Sequence, residues 1–327
     1  MASGGELGSF RPLEKQDFSV PTSRAEKFRT APMEIFIEQI LNGLTLGSQY
    51  ALVAVGLALI FGVVEIVNFA HGEFFMLGAY AFAMVYPYDG PIPYPLAILL
   101  ATAIMVLFGI GYERVVIHPI LDKTWHMQII ATLATSIIFI NSAMAIWGTT
   151  PITIPTSLAK TTVQTAYFNI SYQRMMVFGV TASAFIALHL FIQKTKAGKA
   201  MRAMSQNREA CAVYGINIRK ISVLTFAISS GLTGLAAALI APLFNVLPTM
   251  GILLTLKAFA AVIMGGFGRV SGAIYASFII GLTEALAAGY GHYLNIDSAY
   301  RDAFPFGMMV LVLLFRPHGL FGKRVGI

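Results

Sequence analysis

The chain has 327 residues, of which 57% are hydrophobic and 11% charged, against roughly 25% charged in an ordinary soluble domain. So few charges cannot cover a water-facing surface of this size, so a soluble enzyme is excluded and a membrane protein is indicated. The net charge of +7 sits in a few loops between apolar runs, which fits membrane orientation and a docking surface rather than nucleic-acid binding. The single cysteine, Cys211, excludes a disulfide scaffold and a thiolate metal site.

Residues 1–32 mix Arg11, Lys15, Arg24, Lys27 and Arg29 with Glu6, Glu14, Asp17 and Glu26 and hold no apolar core. They read as a disordered cytosolic tail and not as a cleaved signal. Region 33–87 follows, apolar but interrupted. With the tail inside and loop 88–94 outside it needs an odd number of crossings, either one full span plus a pair of half-helices or three tightly connected spans. Within it lie Glu65, Asn68, His71 and Glu73. An ionisable group at a helix centre costs on the order of 2.5–3.5 kcal/mol, so such residues face a cavity, a partner helix or water. Gly72 is a candidate break between two half-helices, whose freed N–H and carbonyl groups can bind charge. The run lines a translocation path or supports a broken helix beside it, ends a helix at the cytoplasmic interface, or forms a proton relay.

Spans of about 20 residues suit a hydrocarbon core of roughly 30 Å. The uninterrupted ones are about 95–111, 127–148, 175–193, 221–243, 272–289 and 303–316. Between the second and third, loop 149–173 is rich in Thr, Ile and Pro with β-like character, either a cap over a substrate entrance or an ordinary polar connection. After the third, segment 194–220 holds Lys194, Lys196, Lys199, Arg202, Arg208, Arg219 and Lys220 against the single acid Glu209. The positive-inside rule makes it cytoplasmic, and the loops at 88–94, 149–173, 244–251 and 290–302 then fall outside. From Gly198 to Tyr214 it lacks proline and favours helix, with an apolar face of Met201, Met204, Cys211 and Ala212 and Arg208 on the same side. That face is too small for firm membrane insertion and suits docking into a groove on a cytosolic partner.

Segment 252–268 is apolar apart from Lys257, and Glu284 interrupts span 272–289. Either the two pair, offsetting much of the desolvation cost, or each snorkels or bonds to a carbonyl. The spacing of Gly265, Gly266, Gly268 and Gly272 predicts a tight turn that returns helix 272–289 against 252–264. Gly43/Gly47, Ala79/Ala83, Ser230/Gly234 and Gly234/Ala238 have the four-residue spacing of close helix packing, for a compact bundle or a dimer face. The fold class is all-α, a polytopic membrane bundle of about eight transmembrane helices with one or two broken or re-entrant segments.

Four motifs carry a family resemblance. Glu209–Ala210–Cys211–Ala212–Val213–Tyr214–Gly215 matches the loop of ABC importer permeases in which Glu-Ala-Ala is followed, three residues on, by Gly, with Cys211 in place of the second Ala. The others are Asn68–Phe69–Ala70–His71–Gly72–Glu73, Leu256–Lys257–Ala258–Phe259 leading to Gly265–Gly266–Phe267–Gly268, and Phe315–Arg316–Pro317–His318–Gly319. Together they resemble the branched-chain amino acid permease family, H-type subunit, over residues 33–325. The resemblance implies an inner-membrane, multi-pass transport subunit without its own ATPase site. It pairs with an M-type permease, two cytosolic ABC ATPases that bind ATP and Mg, and a periplasmic substrate-binding protein. It also implies a coupling helix at about 199–215, with Arg202, Arg208, Glu209, Ala210, Cys211 and Gly215 at the ATPase contact. Asn68, His71, Gly72, Glu73, Lys257 and Glu284 are the candidates for the path or broken helix, and no cofactor or metal is expected on the chain. Independently, no G-x-x-x-x-G-K-[ST] run occurs.

Family members also carry urea and short amides, so the substrate stays open between these and branched-chain amino acids. A secondary transporter using Glu65, His71, Glu73 and Glu284 as ion ligands, and a non-transporting membrane scaffold, are the readings from other classes.

Overall fold

Residues 22–87, 92–164, 169–291 and 298–322 are described by the structure, a computed structural model. Six helical segments are long and apolar enough to cross a membrane: Ile35–Val64, Tyr94–Ile120, Trp125–Trp147, Tyr172–Lys194, Ile218–Ile240 and Val270–Tyr290. Three shorter helices, α2 (His71–Val85), α10 (Met250–Gly265) and α12 (Ala303–Phe315), complete the bundle. At 1.5 Å per residue these reach only about 20–24 Å; α2 and α10 lie in the regions the sequence marks as interrupted, whereas α12 occupies the span expected at 303–316.

Helix α1 (Thr22–Leu59) runs on into a wide turn at Ile60–Val64. It starts earlier than expected: residues 22–32 are helical, whereas residues 1–21 of the expected tail lie outside the described residues. Ala25, Glu26, Lys27 and Arg29 are good helix formers, and a helix anchored in the bundle propagates outward at little cost. Glu65 then ends the segment in the left-handed conformation (φ 63°), its N–H donating to the Phe61 carbonyl at 3.1 Å. This reverses the chain into α2.

Two sets of contacts define the ends of the bundle. At one end Arg174 donates to Asn42, Gln173 donates to the Tyr94 hydroxyl, and the Tyr94 ring meets Tyr86 at 5.5 Å. The start of α1, the end of α2 and the starts of α3 (Tyr94–Tyr112) and α6 (Tyr172–Lys194) therefore share that end. At the other, Gly62 lies against Gly268 and beside Met201 and Arg202. Region 33–87 thus goes across and back, an even number of passages, and the odd count is overturned. Helix α1 begins at the end opposite segment 194–220, so its described residues 22–32 are not on the side expected of the tail.

Helices α1 and α9 (Ile218–Ile240) form the interior, while α3, α4 (Trp125–Trp147) and α6 turn Leu107, Ile137 and Ile186 outward. Apolar residues on all sides are what a bilayer allows. The Gly43/Gly47 and Ser230/Gly234 pairs are consumed within the chain. Gly43 and Gly47 receive α11 (Val270–Tyr290), where a Cβ on Gly43 would lie 2.7 Å from Leu282 Cα. Gly234 receives α3, at 2.5 Å from Met105 Cβ. The Gly265–Gly272 turn forms as the spacing predicts, a Cβ on Gly265 falling 2.3 Å from the Gly272 carbonyl carbon. Residues after α12 clasp this turn. The Leu320 N–H donates to the Met264 carbonyl at 2.7 Å, and Arg269 donates to the Phe321 carbonyl.

The β-like character of loop 149–173 resolves into helix α5 (Ser157–Lys160) and strands β1 (Thr162–Gln164) and β2 (Asn169–Ser171), antiparallel with Val163 opposite Ile170. Ile152 and Val246 exchange backbone hydrogen bonds of 3.0 and 2.9 Å, tying the loop to the α9–α10 connection.

Candidate functional site

The polar run before α2 splits by position. Glu65 is exposed at the bundle end, where it terminates a helix. Asn68 is fully buried, and its Oδ1 accepts from the Ala70 N–H at 3.1 Å and the Tyr112 hydroxyl at 3.2 Å, shaping the entry to α2. His71, also buried, places Nε2 at 3.2 Å from the Val53 carbonyl and 3.1 Å from Thr233 Oγ1. A carbonyl only accepts, so the proton resides on Nε2 and Nδ1 is a bare acceptor. Glu73 accepts from Ser136 at 3.2 Å, and its Oε2 has no partner among the described residues.

Gly72 is not the break; residues 65–70 are. Gly72 sits in the first turn of α2 at its crossing with α10, where a Cβ would come within 1.9 Å of Thr255 Oγ1 and 2.2 Å of the Gly251 carbonyl. The short α10 is held against α2 because both helices carry glycine there.

Lys257 and Glu284 do meet. Lys257 Nζ lies 2.8 Å from both Glu284 oxygens, 2.8 Å from Asp302 Oδ1 and 3.1 Å from the Tyr50 hydroxyl, which itself donates to Glu284 Oε2 at 2.9 Å. The Lys257 and Glu284 side chains are 4% and 5% exposed. Every donor of the ammonium is used, the condition under which a desolvated ion pair is tolerated. This cluster lines a cavity of about 610 Å³ at the end where α1 begins, together with Asn42, Phe75, Arg174 and Arg301. Thr153 in loop 149–173 donates at 2.9 Å to Asn245, a wall residue, which sets that loop beside the opening.

At the opposite end, segment 194–220 forms two helices rather than one: α7 (Lys196–Met204) and α8 (Arg208–Val213). Asn207 divides them because its side chain accepts the Ala210 N–H at 2.8 Å, an N-cap that starts a new helix. Met201, Met204 and Cys211 are buried as the apolar face requires, but Ala212 is exposed. The break rotates α8 out of register with α7. Gly215, at φ 78°, closes α8 with the Ile216 N–H donating to the Cys211 carbonyl at 3.0 Å, a left-handed stop that favours glycine. Arg202 donates to Gln193, and Arg208 reaches Asp122 at 3.4 Å. Glu209 is exposed and Ala210 half-buried.

Sequence reasoning missed several residues. Asp302, Arg174 and Tyr50 belong to the cavity; two sit at loop boundaries where charge is unremarked, and a tyrosine in an apolar run carries no signal. Buried Glu113, accepting from Ser222 at 2.7 Å, could have been found by the same criterion as Glu284. Val213 and Tyr214, 86% and 85% exposed at the tip of the arm, break the rule that apolar side chains hide.

A multi-pass helical membrane protein, with a charged cavity at one end and a basic arm at the other, is the class these features define. The chain belongs to the family described as branched-chain amino acid transport system / permease component, whose model matches residues 39–313. It is 34% identical over 300 residues to the high-affinity branched-chain amino acid transport system permease protein BraD of Pseudomonas aeruginosa, covering 88% of this chain and 96% of that one. It is 29% identical to the permease protein LivH of Escherichia coli over the same shares. With LivM of Escherichia coli it shares 25% identity, over 84% of this chain and 68% of the relative. No solved structure is a significant match.

Proposed function

We propose that this chain is one membrane subunit of an ATP-driven importer of branched-chain amino acids in a bacterial inner membrane, working beside a second permease of the M type. Two cytosolic ATPases hold ATP and Mg and grip the arm, and a periplasmic protein delivers substrate to the cavity end. The observation that carries this reading is the tip of α8. Val213 and Tyr214 stand in solvent beside Glu209, on a helix begun by the Asn207 cap, ended at Gly215 and seated on the bundle through the buried Cys211. An exposed apolar pair on a rigid, basic arm suits insertion into a protein groove. Motion of the arm then changes access to the cavity without chemistry on this chain.

The relatives' names supply the substrate class. A secondary transporter gains no support from Glu65, which is exposed, or from Glu284, which is ion-paired to Lys257; His71 and Glu73, its other two residues, are buried at the start of α2.

The test is leucine uptake into vesicles carrying the chain with its partner subunits. Glu209→Arg and Tyr214→Asp are each expected to reduce ATP-dependent uptake about tenfold or more while helical circular dichroism is unchanged. Normal uptake in both variants, or uptake by the chain with no ATPase present, overturns the proposal.

A further inference from the structure

Helix α4 is held to the bundle along one face. Ser136 donates to Glu73 at 3.2 Å, Thr132 lies 3.4 Å from the Val67 carbonyl, the Phe139 ring meets Phe108 at 5.4 Å, and Trp147 stacks on Tyr80 at 4.4 Å. On the opposite face Met127, Ile130, Ala134, Ile138, Asn141 and Ala145 are exposed, each three or four residues after the last. That spacing is the seam along which a second helix packs at a shallow crossing. Lipid satisfies the apolar members of the face but not Asn141, which lies six residues before Trp147 in a span of 23 residues. At 1.5 Å per residue the amide is about 9 Å inside that end, within a hydrocarbon core of roughly 30 Å. Its Nδ2 donates to the Ile137 carbonyl at 2.8 Å, which leaves the second N–H and Oδ1 unbonded among the described residues. Ser183, outward on α6, shows the contrast: its one hydroxyl proton is taken up by the Gly179 carbonyl at 2.9 Å. With no water in the bilayer core, the spare amide groups call for a neighbouring helix.

We propose that this face pairs with the same face of a second copy of the chain, about a two-fold axis along the membrane normal. Two copies inserted the same way present Asn141 at one depth. An amide both donates and accepts, so each Nδ2 bonds the other's Oδ1. Ala134 and Ala145 flank the amide and admit a close approach. No Asp, Glu, Lys or Arg lies between Trp125 and Trp147, so the two faces do not repel. None of the residues lining the cavity belongs to α4, so the pairing sets two subunits side by side and leaves each cavity as it is.

The test is disulfide trapping in native membranes that hold the chain with its partner subunits, in a Cys211→Ser background. Under a mild oxidant, Ala134→Cys and Ala145→Cys are each expected to give a product of twice the chain's mass. Its yield should exceed that from Ile186→Cys, on the outward face of α6, by about fivefold or more. Adding Asn141→Leu is expected to lower the Ala134→Cys product about fivefold or more. That substitution turns an apolar side chain toward lipid and breaks no contact with another helix, so the bundle itself is kept. Absence of the doubled product at both alanine positions, equal trapping at Ile186, or trapping onto the second permease instead overturns the proposal. So does an Ala134→Cys yield that Asn141→Leu leaves within about twofold. The pairing is read without ATP or substrate, so its failure leaves the importer reading standing, and failure of that reading leaves the pairing standing.

Discussion

At the scale of single residues, the most consequential side chain is Lys257. Removing one member of a buried, hydrogen-bonded ion pair leaves an uncompensated charge and costs about 3–5 kcal/mol. Lys257→Met leaves Glu284 and Asp302 facing each other and is expected to lower thermal stability more than Glu284→Gln does. In a double-mutant cycle read by thermal unfolding in detergent, the two should be coupled by more than about 1 kcal/mol; additive losses would show that the contact contributes nothing. Both residues were legible in the sequence, because a charge inside an apolar run must be answered by something. What answers them was only half legible: Asp302 precedes α12 in a loop where a carboxylate needs no explanation, and Tyr50 is one aromatic among many.

Among elements, the crossing of α2 and α10 is the tightest constraint. Gly72→Ala forces a methyl group into Thr255 and the Gly251 carbonyl. Backbone cannot yield as a flexible side chain does, so a loss of about 1–3 kcal/mol is expected. A thermal midpoint within 1 °C or so of wild type would remove the crossing from the list of constraints. The sequence singled out Gly72 and misread its job, because glycine at a chain break and glycine at a close approach look alike in one dimension. The true break is made by Glu65, a residue type with no preference for left-handed backbone, so no local signal marked it. The split of the arm at Asn207 was readable in principle, since Asn three residues before Ala210 is a helix-start pattern, but high helix propensity across 198–214 masked it.

For the whole molecule, the count of Lys and Arg placed most loops correctly relative to one another. It does not account for the start of α1, whose Arg24, Lys27 and Arg29 belong to the end opposite segment 194–220. A direct measurement separates the two arrangements. In a Cys211→Ser background, cysteines at the exposed positions Glu38 and Lys160 are expected to react with an impermeant maleimide from the same side, and Gln206→Cys from the other. Glu38→Cys reacting together with Gln206→Cys would restore the odd number of passages.

The clasp between Leu320 and Met264 bears on how the protein is made. A helix leaves its last carbonyls without internal partners, and α10 stops where water is scarce. One of those orphans is satisfied only by an amide that the ribosome delivers 56 positions later. Until then the α10–α11 hairpin is present but unfinished, so a nascent chain released before Leu320 keeps that acceptor bare, and completion of the hairpin waits on synthesis through Leu320.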